Sequence, residues 1–103
     1  MTDKELKYNT GAILRKLRLT KDITQLKLSE AARLSKGTYQ PLEAGKTDLR
    51  LSDAVKLADY YGIQPYLLTM MICEGNIAAI GEEEKKLTNF MLSQVPVNEP
   101  VYK

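Results

Sequence analysis

The side chains that most often carry out a reaction are scarce in this sequence. It contains no histidine and a single cysteine, Cys73. Imidazole acid–base catalysis, a His-activated nucleophile, a His-containing zinc site and a thiolate cluster are therefore excluded. The densest acidic group, Glu82-Glu83-Glu84, opens an apolar-periodic stretch, where the helix dipole favours carboxylates. It reads as a helix start, not as a catalytic pair. No glycine-rich phosphate loop is present. The expectation is a chain that binds instead of catalysing, with no metal and no cofactor.

A length of 103 residues suffices for one domain and a short extension. The longest apolar stretch, Tyr66 to Cys73, falls far short of the roughly 20 residues a membrane span needs. No basic-then-apolar leader opens the chain, and the lone cysteine suits a reducing compartment, so a cytoplasmic protein is expected. Residues 1–72 carry twelve Lys or Arg against eight Asp or Glu, and residues 73–103 carry three against five. A basic front with a slightly acidic tail fits a nucleic-acid reader carrying an appendage.

Helical signals come in short pieces. A first run, about Thr10 to Thr20, gathers Ile13, Leu14 and Leu17 on one side. Thr24 is a good N-cap for a second, about Gln25 to Ala32, with Leu28 and Ala32 one turn apart. Ser35 caps a third that carries Tyr39 and Leu42 inward and stops at Gly45. A fourth spans about Leu51 to Tyr61, ended by Gly62. Gln64-Pro65 then opens a fifth, to about Ile72. No segment alternates in the manner of a strand. Past Gly75, residues 82–94 suit a sixth helix with Leu87, Phe90 and Met91 as an apolar stripe. Val95 to Lys103, with Pro96 and Pro100, reads as extended tail.

The stretch Ile23 to Lys46 narrows the choice of bundle. Leu28 and Ala32 face inward from one helix, Leu34 plugs a turn, and Tyr39 and Leu42 face inward from the next. Ser29 falls where two helices cross closely and a small side chain is needed. Ahead of this lies Gly11…Leu14-Arg15…Leu17-Arg18; Leu42-Glu43-Ala44-Gly45-Lys46 and Leu51…Leu57-Ala58…Gly62-Ile63 follow in register. From about Thr10 to Ile72 the chain resembles the Cro and phage-repressor (XRE) type of helix-turn-helix regulator. The resemblance implies an all-α fold: a five-helix lambda-repressor-like DNA-binding domain over 10–72. An N-terminal arm over 1–9 precedes it, and a C-terminal helical extension over 73–103 follows.

It also implies a partner, double-stranded DNA, with the second motif helix docked in the major groove. Carried onto this chain, Gln25 would hold a phosphate at a helix N-terminus. Lys36 and Thr38 would stand at the leading end of the recognition helix, with Gly37, Gln40 and Pro41 on its groove-facing side. Gln40 would pair with adenine and Lys36 with guanine. Lys46 would meet a phosphate. Arg18 would pair with Glu43 and be held ready for a phosphate too. Met70, Met71, Leu87, Phe90 and Met91 are candidates for a core or a homodimer contact.

The pattern departs from the family at four positions. Arg33 stands at the turn where glycine is usual. Tyr39 replaces an aliphatic residue and must place its hydroxyl. Gly37 and Pro41 cannot hydrogen-bond a base edge through their side chains, and Pro41 removes a helical bond to the Gly37 carbonyl. The third helix is therefore expected either as a kinked single turn or as a regular helix under strain. The leading reading is a dimeric DNA-binding transcriptional regulator, a repressor. The alternative is an antitoxin-like or co-regulator module that keeps the bundle and binds a protein through the C-terminal extension.

Overall fold

The computed structural model describes residues 1–76. It is built of five helices: α1 (Asp3–Thr20), α2 (Gln25–Ala31), α3 (Lys36–Glu43), α4 (Leu51–Tyr61) and α5 (Pro65–Glu74). No helix of these residues is long and apolar enough to cross a membrane. The helices pack as α1 against α3 and α5, α2 against α3, and α4 against α5. All five contribute to one core. Leu14, Leu28, Tyr39, Leu57 and Leu68 are each fully buried there.

Side-chain oxygens open three of the helices. Thr2, Thr24 and Ser35 accept the backbone N–H of Glu5, Lys27 and Thr38 at 3.1, 3.2 and 3.1 Å. Each satisfies a donor that a helix start otherwise leaves unpaired. Pro65 begins α5 at a position where its missing N–H costs nothing.

The first helix begins at Asp3, not near Thr10, so the segment expected as an arm is the first two turns of α1. Thr2 and Glu5 explain the difference. Thr2 caps the helix by accepting the Glu5 N–H, and its hydroxyl also donates to Glu5 Oε1 at 3.2 Å. At the other end α5 continues to Glu74 before Gly75 turns the chain at φ +67°. Asn9 of α1 donates to the Ile72 carbonyl at 3.1 Å, tying the added turns of α1 to the end of α5. The expected sixth helix over 82–94 and its Leu87, Phe90 and Met91 stripe lie outside the described residues.

One close approach sets how α1 meets α3. A methyl group on Gly11 would collide with the Glu43 carbonyl oxygen and press on the Gly45 nitrogen. Glycine at this position lets the middle of α1 rest directly on the backbone that ends α3.

The turn between α2 and α3 keeps its shape despite Arg33, which sits in the left-handed region at φ +64°. Arg33 N–H bonds to the Glu30 carbonyl at 3.2 Å and Leu34 N–H to the Ser29 carbonyl at 2.8 Å. This is the double bond pattern of a left-handed helix ending. Leu34 is buried, 7% exposed, and anchors the turn to the core.

Candidate nucleic-acid interface

α3 runs unbroken from Lys36 to Glu43 through Pro41. Local propensity argues against such a helix, but its two ends and its inner face outweigh the proline. Ser35 caps the start. The finish is held by Gly45 N–H to the Leu42 carbonyl at 3.1 Å and Lys46 N–H to the Pro41 carbonyl at 2.9 Å. Tyr39 and Leu42, 0% and 1% exposed, fasten the inner face to the core. The kinked single turn does not occur.

With those two side chains inward, Lys36, Gly37 and Gln40 turn outward and are exposed. Pro41 is half-buried beside them. The Thr38 hydroxyl shares a 2.8 Å hydrogen bond with the Ser35 hydroxyl, so that side chain is tied to the cap. Lys46 is exposed just beyond the helix end.

A chain of side-chain hydrogen bonds runs behind this face. Arg18 Nε donates to Glu43 Oε2 at 2.9 Å and Nη2 to Oε1 at 2.8 Å, while Nη1 donates to the Ile23 carbonyl at 2.9 Å. Gln25 Nε2 donates to Glu43 Oε1 at 3.1 Å. Gln40 Nε2 in turn donates to Gln25 Oε1 at 3.2 Å. Four side chains from α1, α2 and α3 thus form one network whose outer end is Gln40. All three Arg18 nitrogens are engaged inside the domain, which makes Arg18 an internal tie between α1, Ile23 and α3.

Charge in this network is settled by pairing. Burial by itself would raise the Glu43 carboxyl, but the Arg18 hydrogen bond, helped by the nearby Tyr39 hydroxyl and the Gln25 amide, outweighs it and holds the group below the usual carboxylate value. The same bond raises Arg18. Burial pushes the Tyr39 and Tyr61 hydroxyls well up, and the nearby Glu43 charge adds to both. Neither hydroxyl has an aligned hydrogen-bond partner among the described residues.

Of the two methionines of α5, Met71 is 1% exposed and belongs to the domain's own core, so it is a packing residue and not a dimer contact. Met70 is half-buried. The link from Glu43 through Gln25 to Gln40 has no signature in the residue spacing. It depends on α2 and α3 standing side by side, and the sequence shows only that both glutamines are polar.

A capped, outward-facing helix set on a tight turn from the helix before it, within five packed helices, is the construction of a helix-turn-helix DNA-binding protein. The helix-turn-helix family model matches residues 14–68, more than half of the chain. The protein belongs to this family, the Cro/CI-type (XRE) DNA-binding regulators. No curated protein and no solved structure matches the chain.

Proposed function

We propose that the protein is a sequence-specific transcriptional repressor that binds its operator as a homodimer, each copy docking α3 in the major groove. The observation that carries this reading is the composition of the outward side of α3. Lys36 and Gln40 are exposed there, and Gln25 stands beside Gln40 at the start of α2. An amide matches the paired donor and acceptor of adenine, and an ammonium matches the acceptors of guanine. Lys46, exposed past the helix end, would meet a phosphate and fix register. Two copies related by a two-fold axis would read half-sites one turn of DNA apart, about 34 Å.

The test is selection of bound duplexes from a random library by the full chain at about 100 mM salt, where weak non-specific complexes are suppressed. Enrichment of a two-fold-symmetric site with half-sites about 10 base pairs apart is expected. Enrichment of no sequence, with binding confined to low salt, overturns the reading.

A second reading has one observation in its favour. Gly37 and Pro41 lie on the same side of α3 and bring no side-chain donor to a base edge. A module that binds a protein partner through residues beyond α5, with the bundle as its scaffold, would tolerate both.

A further inference from the structure

The tightest constraint on Gln40 comes from a carboxylate it does not touch. Glu43, ionised in its paired bond with Arg18, has only acceptors to offer. Gln25 must therefore turn its NH2 group toward Glu43, which leaves its carbonyl oxygen facing Gln40. Gln40 must answer with its own NH2 group. Neither amide can flip without cost. A reversed Gln25 would set its carbonyl against a carboxylate, and a reversed Gln40 would set two carbonyl oxygens face to face. One N–H of Gln40 is spent on this link, so one N–H and the carbonyl oxygen remain for a ligand.

We infer that Glu43 is a positioning residue that acts through Gln25 to fix the Gln40 amide in one orientation, and that this makes the protein select adenine over guanine at one base pair of its site. The inference rests on the reading of α3 as the major-groove helix. Adenine presents N7 as an acceptor and its N6 amino group as a donor, which matches the one N–H and one carbonyl left on Gln40. Guanine presents two acceptors, N7 and O6, and asks for two donors. The tethered amide can supply two donors only by releasing Gln25, whose carbonyl would then lose its partner beside the interface. An untethered glutamine has no such restriction. The tether therefore acts against guanine as well as for adenine.

Two substitutions at Gln25 separate this role from a phosphate contact, and both leave the Arg18–Glu43 pair in place. Gln25→Lys keeps a donor for Glu43 and a charge for a phosphate, but has no acceptor to hold Gln40. Gln25→Ala removes everything. The duplex selected by the unmodified protein is first compared with that selected by Gln40→Ala, and the position where preference disappears is the Gln40 base pair. Binding is then measured to two duplexes that differ there alone, A·T against G·C, with circular dichroism confirming that each variant is folded.

The unmodified protein is expected to favour adenine by about tenfold, and both Gln25 variants by about twofold or less, with preferences elsewhere unchanged. Gln25→Lys should bind the pool of duplexes more tightly than Gln25→Ala while still failing to discriminate. Adenine preference retained in both variants, with affinity lowered equally on all duplexes, overturns the inference and leaves the DNA-reading function standing. Preferences that Gln40→Ala leaves unaltered do the same. If the unmodified protein selects no duplex, the inference falls together with the reading it rests on.

Discussion

Arg18 holds Glu43 through two parallel hydrogen bonds, so the charge at the end of α3 is fixed by a side chain of α1. The two side chains are 14% and 4% exposed, and water screens them little. Replacing Arg18 by methionine would leave a buried carboxylate with the Gln25 amide as its remaining partner. A stability loss of about 3 kcal/mol is expected from such an uncompensated charge. Urea unfolding followed by circular dichroism measures it; a loss below about 1 kcal/mol would put the pair in the class of surface salt bridges.

The same corner of the molecule sets how stability depends on pH. Glu43 titrates below its ordinary value of 4.5 in the fold. Its contribution is complete above that value and is lost as the pH falls, because the unfolded chain takes up the proton first. Tyr39 and Tyr61 are displaced upward from 10.0. Their contribution is complete below that value and is lost as the pH rises, because the unfolded chain gives up its protons first. Stability should thus be highest between about pH 5 and pH 10 and fall on both sides. Tyr39→Phe removes a hydroxyl with no aligned partner, so at pH 7 it should change stability by less than about 1 kcal/mol. It should also make the alkaline fall shallower. A fall of unchanged slope in this variant would assign the alkaline limb elsewhere.

Gly11→Ala tests the contact between α1 and the end of α3. Alanine is the better helix former by about 1 kcal/mol. Yet its methyl group meets the Glu43 carbonyl and the Gly45 nitrogen, which are backbone atoms and cannot rotate away. Overpacking of this kind costs about 1–3 kcal/mol, so a net loss of up to about 2 kcal/mol is expected in thermal or urea denaturation. A gain would mean that the two backbones separate at little cost.

At Arg33 the opposite result is expected. Three other helices end in the same left-handed turn, and there the residue is Gly45, Gly62 or Gly75 at φ +74°, +70° and +67°. Arg33→Gly relieves the penalty a side chain incurs at φ +64°. Allowing for the greater freedom of glycine in the unfolded chain, stability should rise by about 0.5–1 kcal/mol. The denaturation midpoint reports it, and DNA affinity at fixed salt should not change.

Lys46 gives a prediction on binding. If its ammonium meets a phosphate, Lys46→Ala weakens all duplexes alike and reduces the slope of log affinity against log salt by about 0.9. A salt slope equal to that of the unmodified protein would remove Lys46 from the interface.

Where side chains follow a helical period, the sequence is a faithful guide to this fold. Leu51, Ala54, Leu57, Ala58 and Tyr61 define α4 to the residue, and Gly62 ends it as its left-handed geometry requires. The start of α1 leaves a weaker trace, because Met1 to Asn9 has little apolar periodicity. Its signal is the Thr2 cap with Glu5 three residues on, which depends on two polar residues and not on burial. The continuity of α3 through Pro41 is a case of packing overriding propensity, with Tyr39 and Leu42 deciding the matter from the inner face. Of the four-membered network, the Arg18–Glu43 pair is expected from the family resemblance and is present, but the Gln25 and Gln40 links are beyond sequence reading for a further reason. Which nitrogen of Gln25 meets which oxygen of Glu43 depends on how two helices stand together, and no residue pattern encodes that distance.

The outward side of α3 also contains a position the fold does not use. A side chain added at Gly37 would find the Ser35 hydroxyl oxygen at 4.0 Å and no other atom nearer. The helix there has ordinary geometry, and a residue other than glycine would favour it. With α3 docked in the major groove as proposed, Arg, Asn or Gln at Gly37 would each be expected to bring its own base preference, its first carbon meeting open space. On the proposed reading of α3, the bundle would then serve as a platform for mutually orthogonal genetic switches, in which one residue per copy sets the address.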